Sequence, residues 1–203
     1  MSDGASRPAR VIGLTGNIAC GKSTVLAMLR ELGATTIDAD ELVHRALAPD
    51  GQGYAPVAAE WGEAVLSPTV EIDRSLLGQV VFSDPEQLAR LEAIIHPIVE
   101  REVDALMSEA RGVLVLDAIK LFESGLARRC DEVWVVACSE DRQLERLKRR
   151  NNLSTEDALL RIRAQSRQEE KVARADVVIS NDGAIERTRE QVLAAWFRSG
   201  AER

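Results

Sequence analysis

Short apolar runs alternate along this chain with longer stretches whose apolar residues recur every three or four positions. Val11-Ile12-Gly13-Leu14, Ala34-Thr35-Thr36-Ile37, Val113-Leu114-Val115-Leu116-Asp117, Val133-Trp134-Val135-Val136-Ala137 and Asp176-Val177-Val178-Ile179-Ser180 read as short strands, several of them apolar enough to be buried on both faces of a parallel sheet. Between them, Val25 to Leu29, the set Leu88, Leu91, Ile94 and Ile95, the set Ile98, Val99, Val103 and Leu106, and Ala184 to Phe197 carry helical spacing. Strands that alternate with helices predict an α/β domain.

Local signals sharpen the boundaries. Gly33 is placed to end the first helix. Residues 49–68 are rich in Gly and Pro and predict a loop with a short helix around Val57 to Trp61. Asp73 opens a short helix through Leu76-Leu77, and Asp84-Pro85-Glu86-Gln87 opens a longer one. Pro97 predicts a break and the start of another helix. Ser139 and Ser154 are placed to cap two helices separated by Asn151-Asn152. The resulting layout is a polar tail over residues 1–9, one domain over 10–203, a helical insertion at about 65–110 and a helical segment at about 140–167.

With 203 residues the chain can bury a real core, and a composition of 45% hydrophobic and 29% charged residues is ordinary for a globular protein. A net charge of −7 and 3% aromatic content argue against nucleic acid as a partner. No apolar run reaches membrane-spanning length and no signal-peptide pattern precedes Val11. Cys20, Cys130 and Cys138 are odd in number and lack CxxC spacing, which points to a reducing, cytoplasmic setting without disulfides or zinc. A monomer is expected, with an oligomer left open.

Chemistry enters at Gly16-Asn17-Ile18-Ala19-Cys20-Gly21-Lys22-Ser23, which satisfies G-x-x-x-x-G-K-[ST] without mismatch between a strand and a helix. Gly16 and Gly21 are expected to let the backbone bend so that its N–H groups face inward and form an anion nest. Lys22 is placed to reach β- and γ-phosphates and Ser23 to hold Mg²⁺. The strand ending at Asp117 resembles a Walker B arrangement, in which the acid supports the same ion. Asp38 and Asp40 close another strand, where ligands of open parallel sheets sit. Either can serve as a base or cap the next helix, and spacing does not separate them. Arg142, Arg146, Arg149 and Arg150 share a broad helix face, followed by Arg161, Gln165 and Arg167, as suits a lid closing over phosphates. The bland alternative is a solvated face stitched by pairs such as Glu145 with Arg149.

In order, Gly13 through Ser23, Asp38-Ala39-Asp40, His96-Pro97, Leu121-Phe122-Glu123, Cys130 to Val133, Arg146 to Gln165 and Asn181-Asp182-Gly183 resemble the dephospho-coenzyme A kinases. The resemblance implies a three-layer P-loop kinase fold with a parallel sheet core, a helical substrate-binding insertion and a helical lid. It implies transfer of the ATP γ-phosphate to the ribose 3′-hydroxyl of dephospho-CoA. Asp40 would be the base, and Lys22 and Arg150 would offset charge on the migrating group. Gly16, Ala19, Cys20, Gly21, Lys22, Ser23, Thr24, Asn181 and Gly183 would hold ATP. Asp38, His96, Arg161 and Gln165 would contact dephospho-CoA. Asn17 and Ala19 stand where many members carry Gly, Ile119-Lys120 replaces a Pro-Leu, and Asn151-Asn152 replaces Asp-Gly after the lid arginine. A different small-metabolite kinase on this scaffold and a nucleotide switch are the rival readings; no Asn-Lys-x-Asp segment supports the switch.

Overall fold

The computed structural model describes residues 8–200, so residues 1–7 of the expected tail lie outside it. The chain divides into two compact units, Met1–Ile37 with Met107–Arg203, and Asp38–Leu106.

In the first unit, β1 (Arg10–Gly16) leads through the phosphate loop into α1 (Lys22–Glu31) and β2 (Thr35–Asp38). In the second unit lie α2 (Ala39–Leu47), α3 (Tyr54–Trp61), a 3₁₀ turn at Gly62–Val65 and α4 (Arg74–Phe82). Helix α5 (Pro85–Glu109) returns the chain to the first unit. There follow β3 (Val113–Asp117), a 3₁₀ turn at Leu126–Arg129, β4 (Glu132–Ala137), α6 (Glu140–Asn151), α7 (Thr155–Arg163), α8 (Gln168–Val172), β5 (Val177–Ser180) and α9 (Ile185–Arg198).

The strands form one sheet in the order β2-β3-β1-β4-β5. β1 runs parallel to both β3 and β4, with Leu14 opposite Asp117 and Gly16 opposite Val136. The apolar runs therefore occupy the centre, where both faces are covered: Ile12, Leu14, Val115, Trp134 and Val136 pack with Val25, Leu29, Val192 and Trp196 from α1 and α9. Two aspartates start neighbouring strands in register. Asp131 accepts from Val11 N at 2.7 Å and Asp176 accepts from Val133 N at 2.7 Å. The central position of β1 brings its carboxyl end, and so the phosphate loop, to the place where this sheet topology receives ligands.

In the second unit the apolar stripes of α2 to α5 bury Leu42, Leu47, Val57, Val65, Leu77, Val81, Ile95, Val99 and Val103. Asp73 and Asp84 act at helix starts as expected, accepting from Ser75 N at 2.8 Å and Glu86 N at 2.8 Å. Pro97 does not break the chain into two helices; it lies inside α5. Pro97 and Ala93, the residue whose carbonyl loses its helical donor, are both exposed, so water can take the place of the missing N–H.

Candidate active site

The loop from Gly16 to Ser23 is shaped by three residues in different ways. Gly21, the cap of α1, has φ 95°, and a β-carbon there would fall 2.0 Å from Asn181 Nδ2. Gly16 is not among the positive-φ glycines. It is needed for close approach, since a β-carbon would lie 2.6 Å from the Val136 carbonyl oxygen on β4. Ala19 is left-handed at φ 61°, which explains why glycine is common there.

The outward carbonyls and one amide of this loop are all tied to later segments. Arg146 Nη1 donates to Ala19 O at 3.1 Å and Cys20 O at 3.2 Å, while its Nη2 donates to Asn181 O at 2.7 Å. Asn181 Nδ2 donates to Cys20 O at 2.8 Å, and its Oδ1 accepts from Thr188 at 2.9 Å. Gln143 Nε2 donates to Ile18 O at 3.0 Å. Ile18 N donates to Gln165 Oε1 at 2.6 Å, and Asn17 Nδ2 donates to Ser166 O at 2.9 Å. With its carbonyls held on the α6 side, the loop keeps N–H groups for an anion.

A groove of about 690 Å³ opens over this loop. Gly16, Ala19, Gly21, Lys22, Ser23, Thr24, Asp117, Arg149, Arg150, Gln165, Asn181 and Gly183 are among its lining residues. The Lys22 ammonium pairs with the carboxylate of Asp117, which ends β3 beside β1. The backbone just after Asp117 is pinned as well: the Ile119 carbonyl accepts from Thr15 Oγ1 at 3.1 Å and from the buried Lys171 Nζ at 3.0 Å. Ser166 Oγ donates to Glu123 at 2.8 Å and Arg174 lies 4.1 Å from the Phe122 ring centre. Segment 165–174 thus grips both the phosphate loop and the loop after β3.

The sequence-derived lid arginines divide by role. Arg149 and Arg150 are exposed and line the groove. Arg146 braces the loop. Arg142 holds the 181–183 turn by donating to Asp182 O at 3.1 Å and pairs with Glu145 at 2.8 Å, where the solvated-face alternative had paired Glu145 with Arg149. Arg161 is exposed and is not a lining residue of the groove. The Asp182 carboxyl is held below the usual carboxylate range, first by the Ser139 backbone N–H and then by the Ser139 hydroxyl. Cys20 is buried behind the loop and its side chain does not line the groove. Asp38, Asp40 and His96 belong to the second unit. Asp38 caps α2, accepting from Glu41 N at 3.0 Å; Asp40 sits half-buried in the first turn of that helix.

Gln143, Gln168 and Lys171 were not anticipated from the sequence. Gln143 falls on the same α6 stripe as Leu147, which is the one signal that it points inward. Among the described residues no group of three or more His, Cys, Asp or Glu gathers as a metal cluster. The Ser23 hydroxyl and Asp117 carboxylate are hard oxygen donors at the groove, a set that fits a divalent cation held mainly through phosphate oxygens.

A family model for dephospho-CoA kinase matches residues 10–187. The dephospho-CoA kinase of Symbiobacterium thermophilum is 48% identical over 191 residues, covering 92% of this chain and 80% of that protein. The crystal structure of TT1252 from Thermus thermophilus superposes with a TM-score of 0.84 at 36% identity, covering 96% of this chain and 98% of that one. Dephospho-CoA kinase from Campylobacter jejuni gives a TM-score of 0.66 at 27% identity, covering 95% and 97%. The phosphate loop, the parallel sheet that carries it and these likenesses agree, and the chain belongs to the dephospho-CoA kinase family.

Proposed function

We propose that the chain transfers the γ-phosphate of ATP to the ribose 3′-hydroxyl of dephospho-CoA, giving coenzyme A and ADP, the last step of coenzyme A synthesis. The observation that carries this reading is the phosphate loop over the groove, with Lys22 and Asp117 on one side and Arg149 and Arg150 on another, in a chain that matches this kinase family along residues 10–187.

Phosphoryl transfer asks for alignment and charge neutralisation more than covalent chemistry. The N–H groups of residues 19–24 cradle the triphosphate, and the turn at Asn181 to Gly183 lies against the adenine. Lys22 exchanges its pairing with Asp117 for the β- and γ-phosphates. Arg150 swings in from α6 to offset charge on the migrating group. Ser23 and Asp117 would hold Mg²⁺, which would neutralise phosphate charge. Asp40 accepts the proton of the 3′-hydroxyl, while Asp38, His96, Arg161 and Gln165 hold the rest of dephospho-CoA. The segment at 140–167 closes as a lid and excludes water, the competing acceptor. The setting is the cytoplasm; among the described residues no helix is long and apolar enough to cross a membrane.

The test is ADP release from purified protein with Mg²⁺ and ATP, offered dephospho-CoA, nucleoside monophosphates or shikimate in parallel. Turnover with dephospho-CoA at least tenfold above every other acceptor is expected. Equal or greater turnover with another acceptor overturns the assignment.

A further inference from the structure

Behind the phosphate loop, on the core side, two thiols meet. The parallel register that sets Gly16 beside Val136 carries the next few residues of each strand toward one another, and Cys20 and Cys138 are both packed in the apolar cluster under the sheet end. Their exposures are 0% and 2%. Two glutamines hold the pair. Gln168 Oε1 accepts from Cys20 Sγ at 3.2 Å and from Cys138 N at 3.2 Å, and Gln143 Nε2 donates to Cys20 Sγ at 3.1 Å. Gln143 is buried and Gln168 half-buried, so polar partners reach the Cys20 sulfur inside an otherwise apolar cluster.

We propose that Cys20 and Cys138 form a reversible disulfide in the presence of hydrogen peroxide, and that closing it disables the phosphate loop. The Cys20 thiolate attacks one peroxide oxygen, the O–O bond breaks, and the departing hydroxide takes up the proton that Cys20 released on ionising and leaves as water, so that Cys20 becomes a sulfenic acid. The Cys138 sulfur then attacks the Cys20 sulfur, the S–O bond breaks, and hydroxide leaves with the Cys138 proton as a second water. Two thiols and one peroxide give one disulfide and two waters, and a dithiol reverses the change by exchange.

The surroundings favour Cys20 as the attacking sulfur. Hydrogen bonding from Cys138, and less strongly from Gln143, brings its thiol down to about 7 against the opposing effect of burial, while the same contact and burial push Cys138 up. Cys20 is therefore the more readily ionised of the two thiols.

The consequence for the loop is steric. A disulfide draws the sulfurs to about 2 Å, far inside hydrogen-bond separation. Cys20 cannot follow freely. Its carbonyl is held by Arg146 and Asn181, and Gly21 has no slack against Asn181, where even a β-carbon would stand at 2.0 Å. The strain falls on the N–H groups that the proposed ATP site uses. Because both sulfurs are buried, peroxide reaches them when the loop opens, so bound ATP slows the reaction.

The test treats the full-length wild type and Cys138→Ala with a small molar excess of hydrogen peroxide and maps the peptides by mass spectrometry. A Cys20–Cys138 cross-link in the wild type is expected, formed more slowly with Mg²⁺ and ATP present. An ATP Kd raised at least tenfold, restored by dithiothreitol, is expected alongside it. Cys138→Ala should keep its ATP affinity at the same dose. The cross-link is read without any activity measurement, so it stands apart from the kinase assignment. Free thiols at both positions after treatment that oxidises Cys130 or methionine overturn the proposal. Loss of affinity in Cys138→Ala at the wild-type rate, or a cross-linked protein that binds ATP normally, overturns the disabling step.

Discussion

The Lys22 ammonium rests on the Asp117 carboxylate, with side-chain exposures of 17% and 6%. Lys22 also stands at the start of α1, where the helix dipole and loop N–H groups already concentrate positive potential. Asp117 supplies the counter-charge until a triphosphate arrives. Asp117→Asn leaves Lys22 without it, at a cost of about 1–3 kcal/mol, less than for a fully buried pair because Lys22 keeps some water. For a chain of this size that lowers the Tm of the nucleotide-free protein by roughly 2–10 °C. Turnover falls about 10²-fold, and chelation of divalent cations by EDTA abolishes wild-type turnover. Thermal melts and ADP release check both; an unchanged Tm and kcat would remove Asp117 from this role.

Arg146 and Arg150 are one turn apart on α6 and should behave oppositely. Arg146 satisfies the carbonyls of Ala19, Cys20 and Asn181. Arg146→Ala is expected to cost about 2 kcal/mol or more, lowering Tm by roughly 5 °C and raising the KM for ATP. Arg150 is exposed and donates to the neighbouring Asn151 Oδ1 at 3.1 Å. Arg150→Ala should leave Tm within about 1 °C and cut kcat about 10²-fold, the size expected for a group meeting the transition-state charge. Melting curves beside kcat and KM for each variant separate the two roles, and matching profiles would refute the distinction.

Ala19 offers a test of how much backbone strain the loop carries. The left-handed conformation costs an L-residue about 1–2 kcal/mol, which glycine avoids. Glycine loses about 0.5–1 kcal/mol to chain entropy and gives up the methyl that packs beside Leu147, Ala158 and Ile162, worth up to about 0.8 kcal/mol. The terms nearly cancel, so Ala19→Gly should leave Tm within about 3 °C and the ATP KM within about twofold. Ala19→Val, with a β-branched side chain at positive φ, should lower Tm clearly. A large Tm rise in Ala19→Gly would show that the methyl contributes nothing.

Much of this arrangement is legible in the sequence because it depends on neighbours along the chain. The phosphate loop, the strands ending at Asp117 and Ser180, and the caps at Asp73, Asp84, Ser139 and Ser154 are local patterns. The bracing of the loop is not local. Arg146 reaches carbonyls well over a hundred residues earlier, and helical periodicity assigns it to a face without naming its acceptor. Gln143 and Gln168 carry no charge to draw attention, and a buried Lys171 contradicts the residue's usual place at the surface. Pro97 misled because its helix-breaking character is tolerated where the orphaned carbonyl faces water.

Asp182 sets an acid limit on the 181–183 turn. Its carboxylate accepts from Ser139 N and Ser139 Oγ, both at 2.7 Å, and its folded pKa is lowered in consequence. A lowered folded value means that the unfolded chain binds the proton more readily. The stabilisation is therefore present above the unfolded value of about 3.9 and disappears as pH falls through the folded one. Asp182→Ala should melt below wild type at pH 7, and the gap should narrow as pH falls below about 4. A gap that stays constant across that range would rule out the ionised carboxylate as its source.

Asp38 and Asp40, which spacing could not distinguish, occupy different places at the start of α2. Asp38 accepts from Glu41 N at 3.0 Å and caps α2, so Asp38→Ala removes a helix cap worth about 1 kcal/mol and lowers Tm by roughly 2–4 °C. Asp40 lies two residues on, inside the helix, where a cap is not required. If Asp40 receives the proton of the ribose hydroxyl, Asp40→Asn keeps the size and polarity of the side chain but loses the base. Turnover should then drop about 10²- to 10⁴-fold, the usual contribution of general base catalysis, with Tm and the KM for ATP little changed. Asp38→Ala should show the reverse, a lower Tm with kcat reduced no more than a few-fold. Melting curves and steady-state kinetics on both variants decide it. A near-normal kcat in Asp40→Asn, with turnover lost in Asp38→Ala, would exchange the two assignments and place the base at the cap itself.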